Sequence, residues 1–491
     1  MRILFIFPDI DENNQFYRGD FSIALGYLIS IAKRQSADVS LFHVTKKPYE
    51  EVFKNKVLTE SPDIVAISTI TQQYQYVKQW VGWIKEVTNA LIVLGGVHVT
   101  LNPEEVINNP AVDVICIGEG EKAFEEFLIR YKNNEDFTDV RSLWVKKNGN
   151  LFKNSIAPLI ENLDELPFPD REIFNLKSLD PLNRKFKHTY LRASRGCPFN
   201  CTYCSNHSLK KIYPNRNRYV RFHSVGRVIQ EAKEVLRLVP DINHIYFHDD
   251  ILPSDINWLK EFSEIWKNEI ALPFRCKWRV ELLDEEIISL LKYAGCFRIQ
   301  FGLESGDEGI LKFIKRPVKN NVVINAFNLC HKYDIQTCTF NMIGIPGENK
   351  DKIIKTIKLN AQINSDIPLV SIFYPFPNTE LYNYCKKNNL IYENKDLKSL
   401  SMDEVIVKVD GLSDADIIFF HRAFRFLILC YKFYYKLPDG LQKITITIMD
   451  TLLKSKFIPK GLLIYIHDHY FKDKLLKYSY FKGEDKLAGL N

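Results

Sequence analysis

The sequence predicts an α/β protein: two units with parallel sheets in series, then a mainly helical C-terminal region. Three observations predict it. In residues 1–150 short continuous apolar runs alternate with segments of helical spacing, the pattern of a parallel sheet covered on both faces. The alternation returns from 189 to 374, in the manner of a parallel α/β barrel. After Gly411 the pattern turns helical.

Composition agrees with a globular chain. Of 491 residues, 46% are hydrophobic and 26% charged, which excludes a disordered chain, a fibre and a small disulfide scaffold. The net charge of +6 is weak for a nucleic-acid binder, so no nucleic-acid partner is expected. From Gly411 onward there are 13 Lys/Arg against 8 Asp/Glu, so most of the excess lies at the C-terminal end. The first apolar run stops at Pro8-Asp9 and has no signal-peptide form, and no run reaches the ~18 apolar residues of a membrane span. A cytoplasmic location with reduced thiols is expected.

In the first unit, strands are predicted at 3–7, 39–44, 64–68, 91–94 and 112–117, with a helix over 23–33. Ligands of such sheets sit beyond the strand C-termini. Ser68, Gly95, Gly96 and Gly118 all fall at that edge. Paired glycines let backbone approach a flat or phosphate-bearing ligand, or simply make tight turns. No G-x-G-x-x-G follows the first strand, so the dinucleotide fingerprint is missing. Residues 162–170, NLDELPFPD, hold two prolines among carboxylates and read as an inter-domain strap. The expected division is 1–150, a linker at 151–184, a barrel at 185–400 and a helical region at 401–491.

The second unit opens with a strand at 189–193 and then Cys197, Cys201 and Cys204, spaced C-x3-C-x2-C. Three thiolates in one loop suit three corners of a cubane iron–sulfur cluster. A structural zinc site normally closes with four ligands, and His207 is awkwardly spaced to be the fourth. Five more strands follow, at 244–248, 274–278, 297–301, 337–343 and 369–374, which makes a partial (β/α)6 barrel. An amphipathic helix is predicted at 225–238 and another beginning near 253. Each strand ends in a polar or Gly-rich motif, at the edge where barrel active sites assemble. In the last 81 residues 15 are Phe or Tyr, which reads as a helical cap over the barrel, with a groove or a membrane-surface contact as the alternatives. Residues 414–435, 444–453 and 459–467 carry that pattern.

The cysteine loop, down to Tyr203 before the last cysteine, resembles the signature of radical S-adenosylmethionine enzymes. The resemblance implies a 4Fe–4S cluster on the three cysteines, with S-adenosylmethionine chelating the fourth iron. One electron then gives methionine and a 5′-deoxyadenosyl radical. It also implies roles for the strand ends. Asp249 and Asp250 stand where the family contacts the methionine amino group, with a helix N-cap as the alternative. Glu304 and Ser305 match the ribose position, and Gly344 and Pro346 the adenine-side turn. Arg279 is placed to pair with the methionine carboxylate or, equally, with a barrel carboxylate. Residues 375–379 resemble Pro-x-Pro-Gly-Thr with Asn378 in the Gly place, where positive φ is tolerated.

In the first unit Ser68-Thr69-Ile70, Gly95-Gly96 and the run DVICIGEGE at 113–121 resemble the Rossmann-like cobalamin-binding domain that precedes many radical enzymes. The resemblance implies a pocket for the corrinoid nucleotide tail at Ser68, Thr69, Gly95, Gly96, Gly118 and Gly120. Many such domains carry Asp-x-His-x-x-Gly after the first strand, whose His ligates cobalt. Residues 8–26 contain no His, so either the lower cobalt face is free of a protein ligand or the domain no longer binds.

The function implied is a cobalamin-dependent methyltransferase acting on an unactivated carbon of a small-molecule or lipid-like substrate, with a reducing partner such as flavodoxin or ferredoxin. Alternatives are a cobalamin-linked radical cyclase or rearrangement enzyme, and a non-enzymatic cobalamin sensor, which leaves the cysteine loop unexplained. A methylthiotransferase needs a second cluster, and only Cys116 precedes Cys197. If both cofactors serve one substrate, the two strand-end edges face one cavity.

Overall fold

The computed structural model describes residues 1–14, 16–182, 187–393, 395 and 402–455. Its first sheet has seven strands: β1 (Arg2–Pro8), β2 (Asp38–Val44), β3 (Ile64–Ser68), β4 (Leu91–Gly95), β5 (Val114–Cys116), β6 (Leu143–Lys147) and β7 (Asn150–Lys153), in the order β2-β1-β3-β4-β5-β6-β7. β1 to β5 pair in parallel. Alternate residues of β1 serve opposite faces: Ile3 and Phe5 join the core with helices Ile23–Arg34 and Glu121–Lys132, while Leu4 and Ile6 pack with Phe53, Val57 and Trp80.

The expected all-parallel sheet is incomplete. β6 and β7 extend it antiparallel, joined by a two-residue turn, Asn148-Gly149, with both φ positive. The boundary expected at 150 falls at the start of β7 and cuts this hairpin.

The strap packs against both units. Leu163 and Leu166 are buried, Asp164 takes hydrogen bonds from His223 and the Ser224 N–H, and the Arg227 guanidinium lies 3.5 Å over the Phe168 ring. Just beyond, Arg171 and Glu231 form a buried pair at 2.6 Å.

The second sheet is fully parallel: β8 (His188–Leu191), β11 (His244–Phe247), β12 (Phe274–Trp278), β13 (Cys296–Glu304), β14 (Gln336–Ile343) and β15 (Ile367–Ile372), all six in sequence order. A short antiparallel pair, β9 (Ser194–Arg195) with β10 (Arg221–Phe222), follows β8. On one face Leu191, Ile245, Phe247, Phe274, Cys276, Ile299 and Phe301 are buried in the core shared with the surrounding helices. The helix expected near 253 runs Ile256–Ile265 and is capped by Asp255, so neither Asp249 nor Asp250 is its N-cap.

Helices Asp414–Tyr434 and Asp439–Lys454 form the described part of the C-terminal cap; the pattern at 459–467 lies outside the described residues. Three side chains of the first helix bond backbone carbonyls in or just before the edge strand. His421 meets the Val370 carbonyl at 3.2 Å, Arg425 Nε donates to Pro368 and Lys432 Nζ to Ser365. This covers an otherwise open sheet edge. No described helix is long and apolar enough to cross a membrane.

Candidate active site between two strand-end edges

The cysteine loop is held from below. The Asp249 carboxylate, fully buried, accepts from Ala193 N at 3.0 Å and from Ser194 N and Oγ at 2.5 Å each. These bonds fix the chain as it leaves β8. Gly196 then turns with φ +87°, where a Cβ would collide with the Tyr219 carbonyl oxygen. Cys197 and Cys204 keep accessible surface, Cys201 is buried, and all three are free thiols. Burial pushes Cys197 up to about 11 and Cys204 up to about 12, so both stay protonated until a metal displaces the proton.

Among the described residues no three His, Cys, Asp or Glu side chains converge on a point that one metal ion could hold. A cubane makes no such demand, because each thiolate takes its own iron. The loop's three free thiols fit that group. The Arg279 guanidinium lies 3.6 Å from Cys201 Sγ and 3.8 Å over the Phe199 ring, and it pairs with Glu281.

A cavity of about 470 Å³ opens beside Cys204. Tyr203, Glu304, Phe340, Met342, Val370 and Tyr374 line it. Glu304 sits at the end of β13 with φ +66°, a strained value for a non-glycine residue. Burial raises its carboxyl pKa, against the opposing Arg316 charge and Tyr203 hydrogen bond.

A second cavity, of about 360 Å³, lies between the two sheets. Ser68, Gly95, Gly96, Gly118 and Gly120 line one side; Arg192, Arg195, Gly196 and Asp250 line the other. A Cβ at Gly95 or Gly120 would meet protein only at 3.8 and 3.5 Å, so bare backbone opens to the cavity there. Gly96 is different: its φ is +99° and a Cβ would lie 2.5 Å from the Thr69 carbonyl oxygen. No histidine is among the described lining residues. Val97, Asn206 and Leu209 line both cavities and form the partition between them.

Buried ion pairs lock the edges together. Glu119 and Glu121, just past β5, meet Arg195 at 3.3 and 2.6 Å, and Glu119 meets Arg221 at 2.7 Å. The Glu119 N–H donates to Tyr213 Oη at 2.8 Å. Asn378, with φ +59° in the Gly place of its motif, donates from Nδ2 to Asn102 at 2.9 Å.

Some expected site residues are not in either cavity wall. Asp249 is buried under the loop it supports. Ser305 is fully buried, 3.3 Å from the Thr356 hydroxyl. Thr69 is buried, its backbone bonded across the Gly95 turn. Gly344 lies under Ile417 of the C-terminal helix, Pro346 is buried beside it, and neither lines a cavity. Arg279 takes the barrel carboxylate of Glu281 as partner. The residues missed are Glu119, Glu121, Arg195, Arg221 and Arg316. Charged residues in loops normally read as solvated, and only the pairing of two distant segments shows their role. A pair of acids at a strand end and an Arg beside the first cysteine were the available signals.

Comparison with known proteins adds the family. The Radical SAM superfamily model matches residues 191–359, and the B12 binding domain model matches residues 21–128. An uncharacterized methyltransferase of Pyrococcus horikoshii is 29% identical over 413 residues, 83% of this chain and 88% of that one. The anaerobic magnesium-protoporphyrin IX monomethyl ester cyclase of Cereibacter sphaeroides is 26% identical over 78% of this chain and 63% of its own length. The fold is shared with the cobalamin-dependent S-adenosylmethionine radical enzyme OxsB, at a TM-score of 0.69 and 16% identity, over 99% of this chain and 80% of that one. The two domain models together imply a 4Fe–4S cluster, S-adenosylmethionine and cobalamin as cofactors. The chain therefore carries a B12-binding domain in front of a radical SAM domain.

Proposed function

We propose that this enzyme methylates an unactivated carbon of a small-molecule substrate held where the two cavities meet. The observation that carries this reading is the shared wall: the glycine edge of the first sheet and the cysteine-loop side of the second line one cavity. The similarity to a methyltransferase along most of both chains supports it. Cys197, Cys201 and Cys204 would hold the cluster, with Arg279 beside Cys201, and Tyr203, Asp250 and Glu304 would surround S-adenosylmethionine. Ser68, Gly95, Gly96, Gly118 and Gly120 would face cobalamin. When bound, the cluster and S-adenosylmethionine supply a carbon-centred radical, and cobalamin supplies the methyl group.

The protein's own part is placement. The Asp249 bonds fix the start of the cysteine loop, Arg195 ties that loop to the corrinoid edge through Glu119 and Glu121, and Val97 and Leu209 keep apolar surface between the cavities. Reactions at near-contact distance depend on such fixed geometry. The reading includes a one-electron donor such as flavodoxin or ferredoxin. The exposed Phe433, Ile444 and Ile448 on the C-terminal helices support a peripheral membrane contact.

Anaerobically reconstituted enzyme given methyl-deuterated S-adenosylmethionine and an extract of small molecules tests the reaction. The product should gain one labelled methylene unit. Loss of hydrogen or an unchanged mass, with no label, would overturn it in favour of a cyclisation or rearrangement, the reading that the cyclase relative favours.

A further inference from the structure

The inner face of the second sheet differs from an ordinary barrel interior. In a packed barrel, inward positions carry Val, Ile and Leu. Here alternate residues of β8, β11 and β12 are polar: His188 and Tyr190, His244 and Tyr246, Arg275 and Lys277. Arg192 and His248 continue the rows just past β8 and β11. The residues between them, Leu191, Ile245, Phe247, Phe274 and Cys276, face the helices and are buried.

The inner side chains form one cluster. The Tyr246 ring lies 5.6 Å from Tyr190 and 5.4 Å from His248. The Arg275 guanidinium stands 4.2 Å over the Tyr246 ring, and Lys277 Nζ is 5.7 Å from it.

The cations there are not directly paired with the carboxylates around them. Arg275 Nη2 lies 3.1 Å from His188 Nε2, and Arg275 Nε is buried with no partner. Both ring nitrogens of His244 are also buried without a hydrogen bond. Among the described residues, the side chains of Arg192, Arg275 and Lys277 make no ion pair, and those of Arg192 and Lys277 make no hydrogen bond. Three carboxylates are near. Asp249 is bonded to residues 193–194, Asp20 accepts from Tyr190 at 2.8 Å, and Asp250 faces the cavity between the sheets. Burial, then the Lys277, Arg192 and Arg275 charges, pushes His248 down to about 2, and burial also lowers Lys277 against the attraction of Asp250 and Asp249. Buried cations are normally paired, and these keep part of their surface accessible.

We propose that this face binds an anionic group of the substrate, a carboxylate or phosphate, on Arg192, Arg275 and Lys277. The inference rests on the proposed function, in which the substrate is held where the two cavities meet, at the mouth of the second sheet. It adds that the substrate is an acid whose charged end points into the sheet and whose reacting carbon stays at the mouth. A charge-assisted contact of this kind is strong and directional.

Full-length enzyme loaded with cluster, S-adenosylmethionine and cobalamin is titrated with octyl phosphate and, separately, with 1-octanol. Octyl phosphate should bind at least tenfold more tightly than octanol. Lys277→Met and Arg192→Gln should each weaken octyl phosphate at least tenfold and leave octanol unchanged, while Lys277→Arg retains binding. Equal binding of the two probes, or unchanged octyl phosphate binding in Lys277→Met, would overturn the proposal. The S-adenosylmethionine carboxylate and the corrinoid phosphate are the other sources of this chemistry. If the variants lose affinity for either cofactor and keep it for octyl phosphate, the cations serve that cofactor and the proposal falls. Label transfer is read separately, so an anion site without methyl transfer would refute the methyltransferase reading alone.

Discussion

The two strand-end edges face each other but are made from opposite materials. The first is built from missing side chains: Gly95 and Gly120 expose bare backbone to the cavity. The second is built from thiols and charged groups: Cys204, Glu304, Asp250 and Arg192. The difference teaches where substitutions act. Adding atoms damages the first edge, and removing them damages the second.

The largest effect tests the second edge. Changing Cys197, Cys201 and Cys204 together to Ala should abolish the cluster's visible absorbance and all cleavage of S-adenosylmethionine, with cobalamin binding kept. Cleavage by the triple variant would break the comparison at once.

The ion pairs that join the edges come next. Glu119→Ala leaves Arg221 buried without its carboxylate and removes one of the two carboxylates from Arg195, a loss on the order of 3–5 kcal/mol. Chemical denaturation should show it, and a loss below ~1 kcal/mol would mean the units are joined by other contacts.

Neighbouring glycines sharpen the contrast. Gly95→Leu puts a side chain into open space, so it should weaken cobalamin at least tenfold with little change in melting temperature. Gly96→Ala should cost more than about 1 kcal/mol of stability, because of its positive φ and the Thr69 carbonyl. Identical behaviour of the two variants would contradict the distinction.

The remaining test is of pH dependence at the second edge's outer turn. Burial raises the Glu348 carboxyl to about 8, although Gly344 N donates to it at 2.7 Å. A carboxyl with a raised folded pKa binds its proton more tightly folded than unfolded. Its contribution is therefore full below about pH 4.5 and falls as pH rises toward 8, by up to a few kcal/mol. Glu348→Gln should flatten that fall in melting curves between pH 5 and 8, and an unchanged slope would place it elsewhere.

Most of the fold was legible because apolar period and strand-end turns are local signals. Six barrel strands and five of the first sheet's seven could be read that way. β6 and β7 escaped because LWVKK and NLFK are short and half-polar, β7 being the sheet's edge, although the Asn148-Gly149 turn between them is a hairpin signal. The candidate cysteines and glycines stand out in the sequence for the same reason. The placements of Asp249, Ser305 and Gly344 were not legible, because a motif gives a place in the chain and not a direction. Whether a side chain reaches the cavity depends on partners far away in sequence, such as Ser194, Thr356 and Ile417.

The central claim is that the two edges share one reaction space. Electron paramagnetic resonance of enzyme holding Co(II) cobalamin tests it directly, with spectra taken before and after reduction of the cluster. The account predicts that reducing the cluster broadens the cobalt signal and speeds its relaxation, with no nitrogen splitting from a protein His. A cobalt spectrum indifferent to the cluster's spin state would put the two cofactors in separate places and contradict the claim.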